Sequence, residues 1–396
     1  MTDGLGLGDA YGATLGRIKR QGGEKARLGM ATLMWISHSE RPLKADELCH
    51  ALAVEIGSPN LNTDNVPSIG ALLAYCQGLV VVEKEASTVR LIHFTLQEYL
   101  RAHLDLFGAA HSAVAETCLS YLNSHQVEAF SASPPQDMPF LEYSSLYWGV
   151  HAKRDLSDCA KLLTLKLFDD YNGHISVKLL LKAQKMWGVD VDKISGFSGL
   201  HCASFFGIIE IVASFVEMEG CDINQMDFTG STPLHWAAWN GHEEVAKTLL
   251  GWDGANPGKP DNYGRTPLWW AARNGHEGVV KILLGRGDVN PDKPDNGSQT
   301  PLWRAAYNGH EGIVKMLLGR DDVNPDNPDN QGRTPLWCAA CEGHEGVVKI
   351  LLERDDVDPN KLDKYGKTPL DQATKEGHQG VIELLLPPES AAPSLS

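Results

Sequence analysis

From about residue 198 to 386, apolar and polar positions alternate in one block that repeats every 34 residues. The clearest copy is DNYGRTPLWWAARNGHEGVVKILL, residues 261 to 284. Thr at an N-cap and Pro at the first helical position start a helix at each Thr-Pro, and these pairs stand at Thr232, Thr266, Thr300, Thr334 and Thr368. The helix runs about eight residues, through paired alanines such as Ala271 and Ala272, to a glycine that breaks it. A second helix then carries a broad apolar stripe of Val279, Val280, Ile282, Leu283 and Leu284.

On the wet side of that second helix, Glu277 and Lys281 stand four apart, as do Glu243/Lys247, Glu311/Lys315 and Glu345/Lys349. Each is expected to form a helical ion pair of a few tenths of a kcal/mol. A polar Asn, Pro, Asp and Gly segment suited to turns closes the block. A degenerate earlier copy places Leu200 and Gly207 one period before Leu234 and Gly241, for six units. One unit cannot bury its apolar face alone, so the units must stack into a solenoid.

These residues resemble the ankyrin repeat, whose core signature is T-P-L-H-x-A-A-x-x-G-H. The period is one longer than the family's usual value of about 33. The histidine after Thr-Pro-Leu stands only at His201 and His235, while Trp269, Trp303, Trp337 and Asp371 take its place elsewhere. The family's Thr-to-His cross-link is therefore not expected in those four repeats. The three tryptophans are expected to cover seams between repeats.

Upstream, apolar spacing predicts helices over 24 to 38, over 43 to 55 and from near Asn65, then a hairpin over 79 to 95 and a helix in LQEYLRAHL. Three helices, a hairpin and a closing helix describe a winged helix. RPLKADELCHALAVE, the run Cys76 to Val80 and RLIHFTLQEYL resemble the winged helix that follows the NACHT ATPase in fungal NLR-like signalling proteins, a domain labelled after GPI inositol-deacylase. The expected organisation is an N-terminal segment to 23, a winged helix over 24–110, a helical connector over 111–195, ankyrin repeats over 196–386 and a disordered tail. The glycine-rich first 23 residues read as the trailing end of a longer domain, and 131–140 as a loop. The expected fold class is mainly α.

Composition changes this picture little. The protein has 396 residues, 42% hydrophobic and 22% charged, as in ordinary globular chains. A net charge of −16 disfavours general binding to nucleic acid or anionic membrane. Eight scattered cysteines without framework spacing fit a reduced, cytoplasmic setting. The start has no signal-peptide profile, and no apolar run is long enough for a membrane span.

Chemistry was sought in four places. No G-x-x-x-x-G-K-[ST] loop occurs, so nucleotide binding is not expected. No G-x-S-x-G elbow supports a lipase, and Ser198 reads as a helix cap. Cys338 and Cys341 lack a partner pair for zinc. The third helix of the winged helix, NVPSIGALLAYC, contains no Lys or Arg, which disfavours a DNA-binding regulator. No cofactor, metal or catalytic residue is expected.

The remaining positions are those free to vary on the turns and first helices, where the ankyrin family binds partners on its concave side. They are Phe228, Trp236, Trp239, Tyr263, Arg265, Trp270, Arg273, Gln299, Arg304, Tyr307 and Arg333. Aromatics and arginines dominate interface hot spots. Such a face suits a protein or peptide with acidic and apolar groups. The resemblance implies a non-enzymatic interaction scaffold, like the C-terminal sensor part of a fungal NACHT-ankyrin receptor without its ATPase, with a NACHT-type ATPase in trans as a further partner. A stand-alone ankyrin adaptor is the alternative.

Overall fold

The computed structural model describes residues 6–128, 137–169, 171–184 and 195–386. The expected disordered tail and the loop at 131–140, up to residue 136, lie outside them. The chain divides into two compact units after Gly199.

The first unit begins with a helix that the sequence reading missed, α1 (Leu7–Arg20). Its glycines stand four apart and so share one face. A Cβ at Gly12 would lie 3.3 Å from the Tyr99 hydroxyl oxygen, and one at Gly8 would lie 3.5 Å from the Tyr99 ring. The glycines admit a neighbouring helix rather than breaking their own. Tyr11 of α1 reaches Thr95 Oγ1 at 2.8 Å across the same contact.

The winged helix follows as expected: α2 (Gly23–His38), β1 (Leu43–Lys44), α3 (Ala45–Ala53), α4 (Ile69–Tyr75), β2 (Val80–Glu83), β3 (Thr88–Leu91) and α5 (Phe94–Ala102). The antiparallel sheet has the order β1-β3-β2, with Leu43 opposite Val89 and Val80 opposite Leu91. Two helix starts differ from expectation. Leu43 and Lys44 are spent on the sheet, and α3 begins after them, where Glu47 reaches back to the Lys44 amide at 2.8 Å in a capping box. Pro67 holds Val66 extended, so α4 waits for Ser68, whose hydroxyl accepts from the Ala71 amide at 3.3 Å.

Helices α6 (Ala110–Leu122), α7 (His125–Glu128), α8 (Leu141–Arg154), α9 (Asp158–Asp169) and α10 (Ile175–Ala183) complete this unit. Its aromatic core joins the winged helix to α8, since Trp35 meets Phe140 edge-on at 5.5 Å and Tyr143 at 6.0 Å. His151 is fully buried beside this core. Its Nδ1 lies 2.8 Å from His111 Nδ1, and its Nε2 lies 3.0 Å from the Tyr143 hydroxyl. Burial, aided by His111 and Arg154, pushes the His151 pKa down to about 3.

The second unit is the repeat array. Six helix pairs follow one another: α11 (Gly199–Phe206) with α12 (Ile209–Val216), α13 (Pro233–Asn240) with α14 (Glu243–Leu250), and α15 (Pro267–Asn274) with α16 (Glu277–Leu284). Then come α17 (Pro301–Tyr307) with α18 (Glu311–Leu318), α19 (Pro335–Glu342) with α20 (Glu345–Leu352), and α21 (Pro369–Glu376) with α22 (Gln379–Leu385). First helices pack on first helices and second on second, so the apolar stripes form one continuous core of Val279, Val280, Leu283, Ile313, Val314, Leu317, Val347, Val348 and Leu351.

Candidate protein-binding face

Three periodic devices hold the face in place. At the start of the first helices in repeats three to five the threonine caps as expected: the Thr266, Thr300 and Thr334 hydroxyls accept from the amides of Trp269, Trp303 and Trp337 at 3.1 to 3.2 Å. Before it, an aspartate folds the turn, and Asp261 Oδ1 accepts from the Tyr263 and Arg265 amides, both at 2.9 Å. At the helix end, Gly275 takes a left-handed conformation with φ +82°, and a Cβ there would sit 2.8 Å from the ring of His310. That histidine donates from Nε2 to the Arg273 carbonyl at 3.0 Å, and His242, His276, His344 and His378 make the same bond to Phe205, Trp239, Tyr307 and Cys341. Each Gly-His pair is thus one half of a joint with the neighbouring repeat.

The histidine after Thr-Pro-Leu makes a second joint, and Trp269 and Trp303 replace it in kind, whereas the buried Trp337 Nε1 has no acceptor. His235 Nε2 donates to the Arg265 carbonyl at 3.1 Å. Trp269 Nε1 donates to the Gln299 carbonyl at 3.0 Å, and Trp303 Nε1 to the Arg333 carbonyl at 2.9 Å. All three acceptors stand 30 residues on, in the next turn. Trp269, Trp303 and Trp337 are buried, in keeping with a seam. The Thr-to-His cross-link occurs where the histidine survives, with Thr232 Oγ1 2.9 Å from His235 Nδ1.

The residues expected to bind partners form one ladder of rings and guanidinium groups along the first helices. Trp236 stacks on Trp239 at 5.7 Å, Trp239 on Trp270 at 4.2 Å, and Trp270 meets Trp269 edge-on at 4.8 Å. Arg265 lies 4.4 Å from the Tyr263 ring and 4.4 Å from the Trp270 ring. Arg273 lies 5.1 Å from Trp270 and 5.8 Å from Trp269. Arg304 bridges Trp269 and Trp303 at 4.7 and 5.1 Å, and Arg333 bridges Trp303 and Trp337 at 5.5 and 5.6 Å. Tyr307 stacks on Trp303 at 5.4 Å, while Phe228 is half-buried in the turn of repeat two.

Two of these residues are not where the sequence reading put them. Trp236 is 1% exposed and Trp270 2%, because each ring is covered by its neighbour in the stack. Trp236 donates to Asp227 Oδ2 at 2.9 Å. In repeat three the equivalent Asp261 Oδ2 is taken by Arg265 at 2.7 Å, which leaves the buried Trp270 Nε1 without an acceptor. The open part of the face is Trp239 and Gln299, both half-exposed, with Tyr263, Arg273 and Tyr307 exposed outright.

The cations divide by partner. Arg265 and Arg333 are held by Asp261 and Asp329 at 2.7 and 2.5 Å. Arg304 donates to the neutral Gln299 side chain, and among the described residues no carboxylate lies in ion-pair range of Arg273 or Arg304. Burial, with nearby positive charge, holds both guanidinium pKa values below their ordinary level, against an opposing pull of Asp295 on Arg304.

The expected Glu277/Lys281 pairs do not form. Lys247 pairs with Glu244 at 2.6 Å instead, and Glu243, Glu277, Glu311 and Glu345 point onto the first turn of the next repeat's second helix. There a side chain at Gly278, Gly312, Gly346 or Gly380 would collide with the carboxylate. A carboxylate is better placed at a helix N-terminus than beside an exposed lysine. A further device escaped notice: Arg286, Arg320 and Arg354 each donate to a carbonyl of the preceding repeat's second helix at 2.9 to 3.2 Å and pair with the aspartate two residues on. The Arg-x-Asp that recurs after the second helices of repeats three to five was the available signal. Cys338 packs with Trp303 and Trp337, at the position where the preceding repeats carry Trp270 and Arg304. Among the described residues no group of His, Cys, Asp or Glu is arranged to hold a metal ion, and no helix is long and apolar enough to cross a membrane.

The family model for ankyrin repeats matches three times, over residues 168–261, 253–329 and 322–394. The first match starts upstream of residue 196, in a segment that lacks Thr-Pro but carries Gly173-His174 one period before Gly207, a signal the sequence reading passed over. The model for the GPI inositol-deacylase winged helix domain matches residues 18–113. No curated protein matches the chain. With matches over more than half of its length, and with repeats two to six built on the same Thr-Pro cap and Gly-His joint, the chain belongs to the ankyrin repeat family.

Proposed function

We infer that the protein is a non-enzymatic interaction scaffold, and that its partner-binding face is the row of first helices and turns in repeats two to five. Ankyrin repeats support a protein-binding role. The observation that carries the choice of face is the ladder itself. A repeat skeleton needs Thr, Pro, Ala, Gly and His, whereas Trp239, Tyr263, Arg273 and Tyr307 are bound to no skeletal task and stand in one exposed row. Rings already packed against cations give a partner large apolar area at little entropic cost.

The winged helix resembles the one that follows the ATPase of fungal NACHT-ankyrin signalling proteins, and a NACHT-type ATPase acting in trans is its proposed partner. In this reading the protein works in the cytoplasm, with the array as sensor. The test is affinity capture from native extract with the wild-type chain and with Trp239→Ala and Tyr307→Ala. Wild type is expected to retain a specific protein that both variants lose at unchanged melting temperature. A partner retained equally by both variants would place the interface elsewhere.

A further inference from the structure

We propose that the partner presents an acidic segment, with two carboxylates three residues apart in a polyproline II stretch, to Arg273 and Arg304. The proposal rests on the scaffold reading above and adds the chemistry of the ligand.

Of the four guanidinium groups on the ladder, two already have acids, and the two that do not are neighbours, since both contact the ring of Trp269. Their Cζ atoms are therefore no farther apart than the sum of those two contacts, 5.8 and 4.7 Å. Beside them Trp270 Nε1 is a buried N–H with no acceptor, and so is Arg304 Nε. Buried donors are normally satisfied. This cluster has a surplus of them in one place, on a chain whose net charge is −16. The local field is thus opposite in sign to the whole-molecule charge, which steers an acidic segment to this point and away from the rest of the surface.

Spacing follows from the fold. Packed helices lie about 8–10 Å apart, and a polyproline II chain rises about 3.1 Å per residue and returns to the same side every three residues. A segment running across the first helices of repeats three and four therefore brings side chains three residues apart to successive repeats. Arg273 and Arg304 stand on those two helices. An apolar residue flanking the acid pair would lie on the Trp239 stack, whose ring is half-exposed. Nucleic acid also carries anions at regular spacing, but a chain of this net charge repels a long polyanion.

The array itself supplies the controls for folding. The place of Arg304 is held by Trp270 and Cys338 in adjacent repeats, and that of Arg273 by Trp239 and Tyr307, so neither arginine is required by the skeleton.

The experiment is selection of a random phage-displayed peptide library on the full-length chain at low salt. Recovered peptides are then measured by fluorescence anisotropy. The expected winners carry two Asp or Glu residues three apart beside an aliphatic or aromatic residue. Arg273→Gln and Arg304→Gln should each weaken binding about tenfold or more, the loss typical of one charged hydrogen bond, with unchanged melting curves. Replacing either acid by its amide should do the same, and salt should weaken the wild-type complex. Winners without an acid pair, equal binding by both variants, no recovered peptide, or displacement by a single-stranded oligonucleotide would each overturn the proposal. Winners of other chemistry that Trp239→Ala loses would leave the scaffold reading standing while removing this one.

Discussion

Trp269 gives its indole N–H to the Gln299 carbonyl at 3.0 Å, the same reach into the next turn that His235 makes to Arg265. A ring of different size and chemistry thus keeps a backbone joint, because both ring systems place an N–H at their far edge. Packing and hydrogen bonding separate here by substitution. Trp269→Ala is expected to lose about 3–5 kcal/mol, since the ring is 1% exposed. Trp269→Phe keeps most of the packing and drops the donor, for a loss nearer 1–2 kcal/mol. Urea unfolding of both variants measures the split, and equal losses would mean that the packing of the ring contributes nothing beyond the hydrogen bond.

The Gly-His joint offers a cleaner comparison. Gly275 and Gly377 have nearly the same left-handed backbone, φ +82° and +80°, but a Cβ at Gly275 meets His310 while one at Gly377 meets nothing within 4 Å. Gly377→Ala should therefore cost only the backbone preference, about 1 kcal/mol. Gly275→Ala must also displace the histidine and should cost at least twice as much. Thermal melts of the two variants decide it, and similar shifts would show that the histidine yields freely.

Acid should weaken the fold through its buried histidines. His151 is held neutral down to about pH 3 and His235 down to about pH 4, both chiefly by burial. In the unfolded chain each protonates near 6.5. Below that pH the unfolded state binds protons the native state refuses, so stability is full above about 6.5 and is lost as pH falls toward the folded values, by up to about 1.4 kcal/mol per pH unit for each group. Denaturant midpoints between pH 7.5 and 5 should fall for wild type and fall less steeply for His151→Gln. Parallel curves would remove His151 as the cause.

Much of this was readable in the residues because the array states its rules repeatedly. Thr266, Pro267, Gly275 and His276 recur in register, so their roles follow from spacing alone. What failed was reading each element in isolation. Gly8 and Gly12 look like helix breakers until Tyr99 is seen against them. Glu277 looks like a partner for Lys281 until the first turn of the next repeat competes for its carboxylate. Trp236 and Trp270 look open until their neighbours cover them. In each case the deciding atom lies on another helix, and a periodic pattern records that a residue is kept without recording what it touches.

The fixed reach of the joints also bears on how such a chain changes length. Every carbonyl accepted from the next repeat lies at the same offset, whether the donor ring is His235, Trp269 or Trp303. Duplicating or excising one whole period among these repeats therefore splices like ends together and keeps the offset from ring to carbonyl. The ladder has no such symmetry, because Trp270, Arg304 and Cys338 occupy one column and differ. A copying event in the gene would thus preserve the solenoid while reshuffling its recognition surface, so new partners can arise without any cost to folding.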